Sequence, residues 1–195
     1  AHSWMQPEGA RRDWKSFAET GRMLLGEVLA ARQPEASELL VREAAWKTPA
    51  AGKRSRIWLS RKGEGDLVHG ALIFPQTAKG KVPLVMVINS GGSPSQVDLI
   101  SGTPGTLATA LLAKGFALLA LDVFEGSALY SRRVRIAQFD SSYNAASLRH
   151  RVQDILTAVA WATSRQEFNA VDLAGVQGGG AWTLLAGVFA RGISQ

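Results

Sequence analysis

The sequence contains no cysteine. Disulfides, thiolate metal sites and a cysteine nucleophile are therefore excluded, and the redox compartment is left undecided. Histidine is scarce: His2, His69 and His150 are the three, and all lie before residue 151. No set of histidines and carboxylates shows metal-ligand spacing, so neither a metal nor another cofactor is expected. No apolar stretch approaches the ~18 residues of a membrane span, and a membrane location is not expected. Internal repeats, low-complexity tracts and interdomain linkers are also lacking. The chain opens Ala1-His2-Ser3-Trp4 without an initiator methionine, which suits either an exported protein after signal cleavage or a trimmed chain, and export is the expectation.

What is present is a chain of 195 residues, 46% of them hydrophobic and 19% charged. That length supports one sizeable core, and the composition is that of a globular protein. A single domain over residues 1–195 is expected, with residues 1–36 as an N-terminal helical extension. The net charge is +6. Its carriers are scattered through Arg11-Arg12, Lys53-Arg54, Arg61-Lys62, Arg132-Arg133 and Arg149 to Arg151. No run interleaves basic with aromatic residues, so a solvated basic surface is expected rather than a nucleic-acid platform.

Trp14, Phe17, Met23, Leu24 and Val28 recur at roughly helical spacing over residues 11–31. The spacing predicts a helix packed on a sheet, weakened by Gly21 and Gly26. Residues 39–46, 55–60 and 67–74 read as extended segments separated by turns at Pro49 to Gly52 and Lys62 to Gly65, an antiparallel meander. The pattern then changes. Leu84-Val85-Met86-Val87-Ile88 is a continuous apolar run, the mark of a strand covered on both faces. A loop from Asn89 to Pro104 leads to a helix over 105–114, stopped by Gly115. A buried strand over 116–121 ends at Asp122. Residues 123–142 are irregular. A helix beginning near Tyr143 places Leu148, Val152, Ile155, Leu156 and Val159 on one face. A third buried strand, 171–175, precedes a helix over 181–190. Strands alternating with helices predict right-handed crossovers and a parallel sheet.

The most informative run is Val171-Asp172-Leu173-Ala174-Gly175-Val176-Gln177-Gly178-Gly179-Gly180-Ala181-Trp182. It reads as a strand, a glycine-crowded turn and an apolar helix. With Pro83-Leu84-Val85-Met86-Val87-Ile88-Asn89-Ser90-Gly91-Gly92, Gly115 to Asp122, Tyr143-Asn144 and Arg151 to Ile155, it resembles the α/β-hydrolase superfamily. The nearest resemblance is to acetylxylan-esterase-like and dienelactone-hydrolase-like proteins, over about residues 38–190. The resemblance implies an α/β fold in which antiparallel strands lead into a parallel sheet flanked by helices, cut short after the helix that follows residue 180. It implies that Gly175-x-x-x-Gly179 is a nucleophile elbow, Gly-x-Ser-x-Gly, whose centre should be Ser, Cys or Asp. Gln177 stands there, and a neutral amide cannot attack a carbonyl. It also implies an oxyanion hole with one N–H from the Ser90-Gly91 loop and one from Gly178. A glycine turn with no ligand accounts for that loop equally well. Asp122, at the end of a parallel strand, is placed either to contact a ligand or to cap the next turn.

The rest of a triad is missing too. Hydrolases of this fold order Ser, acid and His along the chain, and only one helix and a short tail follow Gln177. His69 and His150 are expected to be surface or core histidines. A nucleotide site at Gly175 to Gly180 is disfavoured, because Gln177 breaks the Gly-x-Gly-x-x-Gly spacing and no acidic residue follows at the required distance. The strand over 171–175 is too apolar for an open sheet edge, so a further polypeptide segment or subunit is expected to complete the sheet. Three functional readings follow. The first is a degenerate, non-catalytic hydrolase that binds a small ester or carbohydrate or serves as a scaffold. The second is an active acyl-ester hydrolase, seen as a fragment, using Ser90 or Ser93. The third is a structural subunit of a larger assembly.

Overall fold

A computed structural model describes residues 14–45, 53–98, 102–124 and 147–194. Tyr143-Asn144, His2, the turn at Pro49 to Gly52 and the irregular stretch from 125 lie outside them. In chain order the elements are α1 (Trp14–Leu29), β1 (Leu39–Ala45), β2 (Arg54–Arg61), β3 (Val68–Ile73), β4 (Val82–Asn89), α2 (Thr106–Ala113), β5 (Ala117–Asp122), α3 (Ser147–Thr163), β6 (Phe168–Val176) and α4 (Gly179–Phe189).

The six strands form one sheet in the order β1-β2-β3-β5-β4-β6. The first three are an antiparallel meander, and β3 joins β5 antiparallel. β4 then pairs in parallel with β5 on one side and β6 on the other. The mixed α/β architecture predicted from the switch in hydrophobic pattern is the one observed.

β4 and β5 are apolar up to their last residues, Asn89 and Asp122, because both of their faces are covered. Leu84, Met86, Ile88, Leu119 and Leu121 join one core with α3, α4 and the end of α1. Val85, Val87, Leu118 and Ala120 join a second core with Ala108, Leu111 and Leu112 of α2. The period-2 alternation of each strand splits its side chains between the two layers. α3 is buried continuously from Val152 to Ala162, since it lies against the sheet, α1 and α4 at once. Truncating one of its large buried residues, such as Ile155, removes ~2–5 kcal/mol of stability.

Two expectations are corrected. The 171–175 segment is not a covered strand. β6 lies at the sheet edge, starts at Phe168, and buries only Phe168 and Val171. With one strand neighbour among the described residues, its remaining residues stay partly open. The helix over 14–29 does not lay its apolar face on the sheet. Met23, Leu24 and Val28 are exposed and, among the described side chains of the helix, Leu29 alone is buried, because α3 and α4 already cover that face. No described helix is long and apolar enough to cross a membrane.

Candidate functional site

The carboxyl ends of β4, β5 and β6 bring Asn89, Asp122 and Val176 to one end of the sheet. The helix after β4 packs on one face and the helix after β6 on the other. Adjacent parallel strands whose connections leave in opposite directions open a crevice between their loops, and α/β sheets bind ligands there.

The loop after β6 supplies the sharper side of that crevice. Gln177 has φ +53°, one of two non-glycine residues with positive φ among those described, the other being Ala30. A side chain in that region carries strain, which the surrounding packing must hold. The glycines show how. A Cβ on Gly175 would lie 2.6 Å from Gly180 Cα, and a Cβ on Gly179 would run into the Ile88 carbonyl oxygen. The turn is thus pressed onto the end of β4, and only glycine allows that approach. Gln177 is left at the apex, exposed to solvent. The strand–turn–helix geometry of an elbow is present, with an amide where a nucleophile would stand.

The loop after β4 faces it. A Cβ on Gly178 would come within 3.0 Å of Ser90 Cβ, so the two loops touch. Ser90 is exposed at this junction. Gly91 is not available as an oxyanion donor: its N–H donates to Asn89 Oδ1 at 2.7 Å. Gly178 immediately precedes α4, whose leading N–H groups have no partner within the helix. Gly92, at φ +68°, turns the chain into a short 3₁₀ segment, Ser93–Ser95.

Asp122 holds that segment in place. It accepts hydrogen bonds from Ser93 N and Ser93 Oγ, both at 2.6 Å, and from His69 Nδ1 at 2.9 Å. His69 donates here, since an ionised carboxylate only accepts. The residues share one row of the sheet, in which Arg42 faces Trp58, Trp58 faces His69 and His69 faces Asp122. Arg42 stacks over the Trp58 ring at 5.0 Å, and the Trp58 and His69 rings lie 5.3 Å apart. Asp122 is therefore an anchor for the loop after β4, which precedes it in the chain, rather than a cap of the turn that follows it. Ser93 is ruled out as a nucleophile, being fully buried with its hydroxyl committed to a carboxylate. His69 and Asp122 lie next to each other, but the serine bonds to the acid rather than to the imidazole, which is the wrong order for a relay. His150 packs against Phe124, with ring centroids 4.8 Å apart.

Sequence reading missed Asn89 and Asp154. The Asn89-Ser90-Gly91 pattern is a signal for a side chain that bonds the backbone two residues on. Asp154 interrupts the apolar run of α3 and is buried there, accepting Phe124 N at 2.7 Å. Burial pushes its carboxyl up to about 7, and the Phe124 N–H opposes that shift. Among the described residues no group of three acidic or histidine side chains is placed to hold a metal.

No family model and no curated protein matches the sequence. Solved structures do match. One is a protein from Bacteroides fragilis provisionally described as an acetyl xylan esterase. It has TM-score 0.73 and 12% identity, over 95% of this chain and 53% of that one. A glucuronoyl esterase from Solibacter usitatus matches with TM-score 0.61 and 14% identity, over 93% and 57%. A carbohydrate esterase family 15 glucuronoyl esterase from Caldicellulosiruptor kristjansonii matches with TM-score 0.53 and 14% identity, over 93% and 49%. The chain thus spans about half the length of the solved proteins it matches. Its fold is that of the α/β-hydrolase-type esterases.

Proposed function

We propose that this protein is a degenerate member of the esterase fold that binds a small ester or carbohydrate at the crevice between Ser90 and Gln177 without hydrolysing it. The observation that supports the reading most is Gln177 itself, exposed at the strained apex of the elbow, φ +53°. An amide there donates and accepts hydrogen bonds but has no nucleophilic electron pair to offer a carbonyl. The Gly178 N–H beside it suits a carbonyl or hydroxyl oxygen.

The second reading, hydrolysis by Ser90, draws on that side chain being exposed at the elbow. It needs a base, and the His69 ring is already directed at Asp122. Three measurements separate the readings. Acetylated xylo-oligosaccharides titrated calorimetrically should bind, and Gln177→Ala should weaken binding about tenfold, the loss of one or two hydrogen bonds. p-Nitrophenyl acetate should be hydrolysed no faster than in buffer, and a fluorophosphonate probe should label no serine. Hydrolysis removed by Ser90→Ala would overturn the binding reading.

Two further parts belong to the proposal. A polysaccharide ester does not enter cells, so a binder of such polymers would act outside the cytoplasm, and cell fractionation tests that. A further polypeptide, in the same chain or in another subunit, would pair with the open edge of β6.

A further inference from the structure

A second cavity lies at the opposite end of the sheet from the elbow. We propose that it binds a small carboxylate with an apolar body. The cavity has a volume of about 340 Å3. It sits between the start of β2, the end of β3 and α2, where Arg54 pairs with Ile73 and Ile73 with Leu118. Leu118 is near the beginning of β5, whereas Asp122 and the crevice are at its end. The two sites are therefore separated by the length of the strand.

Arg54 decides the ligand class. Its side chain makes one hydrogen bond, from Nη1 to the Gly102 carbonyl at 2.8 Å. Its Nε is buried without a partner. Among the described residues no acidic side chain pairs with it. The adjacent Lys53 is different, since its charge meets Glu167 at 2.9 Å. A half-buried guanidinium with no counter-ion is costly, and a bound anion offsets that cost through charge-assisted hydrogen bonds. Thr77 and Thr109 add hydroxyls to the lining. Gln76 adds an amide, and Ile73, Phe74, Pro104, Leu112 and Ala113 make the remaining wall apolar. That wall disfavours a hydrated dianion such as phosphate and suits a monoanion carrying an aliphatic or aromatic body.

Calorimetric titration of the full chain with hexanoate and 3-phenylpropionate tests the proposal, with methyl hexanoate as the neutral control. Saturable binding of both acids is expected, at least tenfold weaker for the ester. Arg54→Gln should weaken acid binding tenfold or more at an unchanged melting temperature. Ala113→Trp, at an exposed helix position that borders the cavity, should abolish binding with the charge kept, and it decides the matter if Arg54→Gln does not fold. Gln177→Ala should leave acid binding unaltered, which separates this site from the elbow whatever becomes of the function proposed there. Absence of saturable binding, equal binding by Arg54→Gln, or retained binding in Ala113→Trp overturns the proposal, as does loss of binding in Gln177→Ala.

Discussion

Gln177 and Asp154 show how differently single residues declare themselves. Gln177 was legible in the sequence because the glycines around it define a frame, and a residue of the wrong chemistry inside a frame is conspicuous. Its positive φ, +53°, adds that the frame is built and strained. Asp154 was not legible, because an acid within a helix is read by default as solvent-facing, and burial is a property of neighbours. Its consequence is a pH dependence. The folded pKa, about 7, lies above the ordinary value of 3.8. The folded state therefore keeps a proton that the unfolded chain releases. The stability from this group is complete below 3.8 and is lost as pH rises through about 7. Stability should fall by ~2–3 kcal/mol between pH 5 and pH 8 from this carboxyl alone. Asp154→Asn keeps an acceptor for Phe124 N–H and removes the charge. Urea unfolding at the two pH values should show a smaller difference for the variant, and an identical difference would rule this account out.

At the scale of elements, strand and helix positions were largely readable, since hydrophobic period and glycine stops are local. Gly115, expected to stop α2, does so at φ +87°. Boundaries moved where partners decided them: β6 begins at Phe168, three residues before the apolar run, because Phe168 pairs with Val82. The loop after β4 was readable only as a glycine turn. Its conformation depends on Asp122, an element away, through two hydrogen bonds from Ser93, with His69 holding the carboxylate from the other side. Asp122→Ala leaves the N–H and hydroxyl of the fully buried Ser93 without their partner, at a cost of ~3 kcal/mol. Hydrogen exchange should report faster exchange over residues 90–97 with α3 little changed. Unaltered protection of Ser93 would show that the anchor is dispensable.

At the scale of the whole molecule, the unequal cover of the sheet matters most. β4 and β5 are sealed between two layers, while β6 forms an edge and Leu184 of α4, the helix that follows it, is 75% exposed. An edge strand next to apolar surface favours association. The isolated chain is therefore expected to self-associate as concentration rises in size-exclusion chromatography with light scattering. Leu184→Lys should raise the monomer fraction severalfold. A monodisperse monomer at high concentration would count against both the open edge and the proposed completing segment.

The sequence by itself determined the order and type of the elements, the change from antiparallel to parallel strands, and the amide at the elbow. Each of these is written in neighbouring residues, as period, turn chemistry or a frame with one misfit. Tertiary structure decided that β6 is an edge and that α1 leaves most of its apolar face open. It also decided that Asp122 ties down a loop, that Ser93 is sealed, that Asp154 is buried and that Arg54 meets no counter-ion among the described residues. Those are facts about which groups distant in the chain exclude water from one another, and burial and pairing exist only once the strands and helices are assembled.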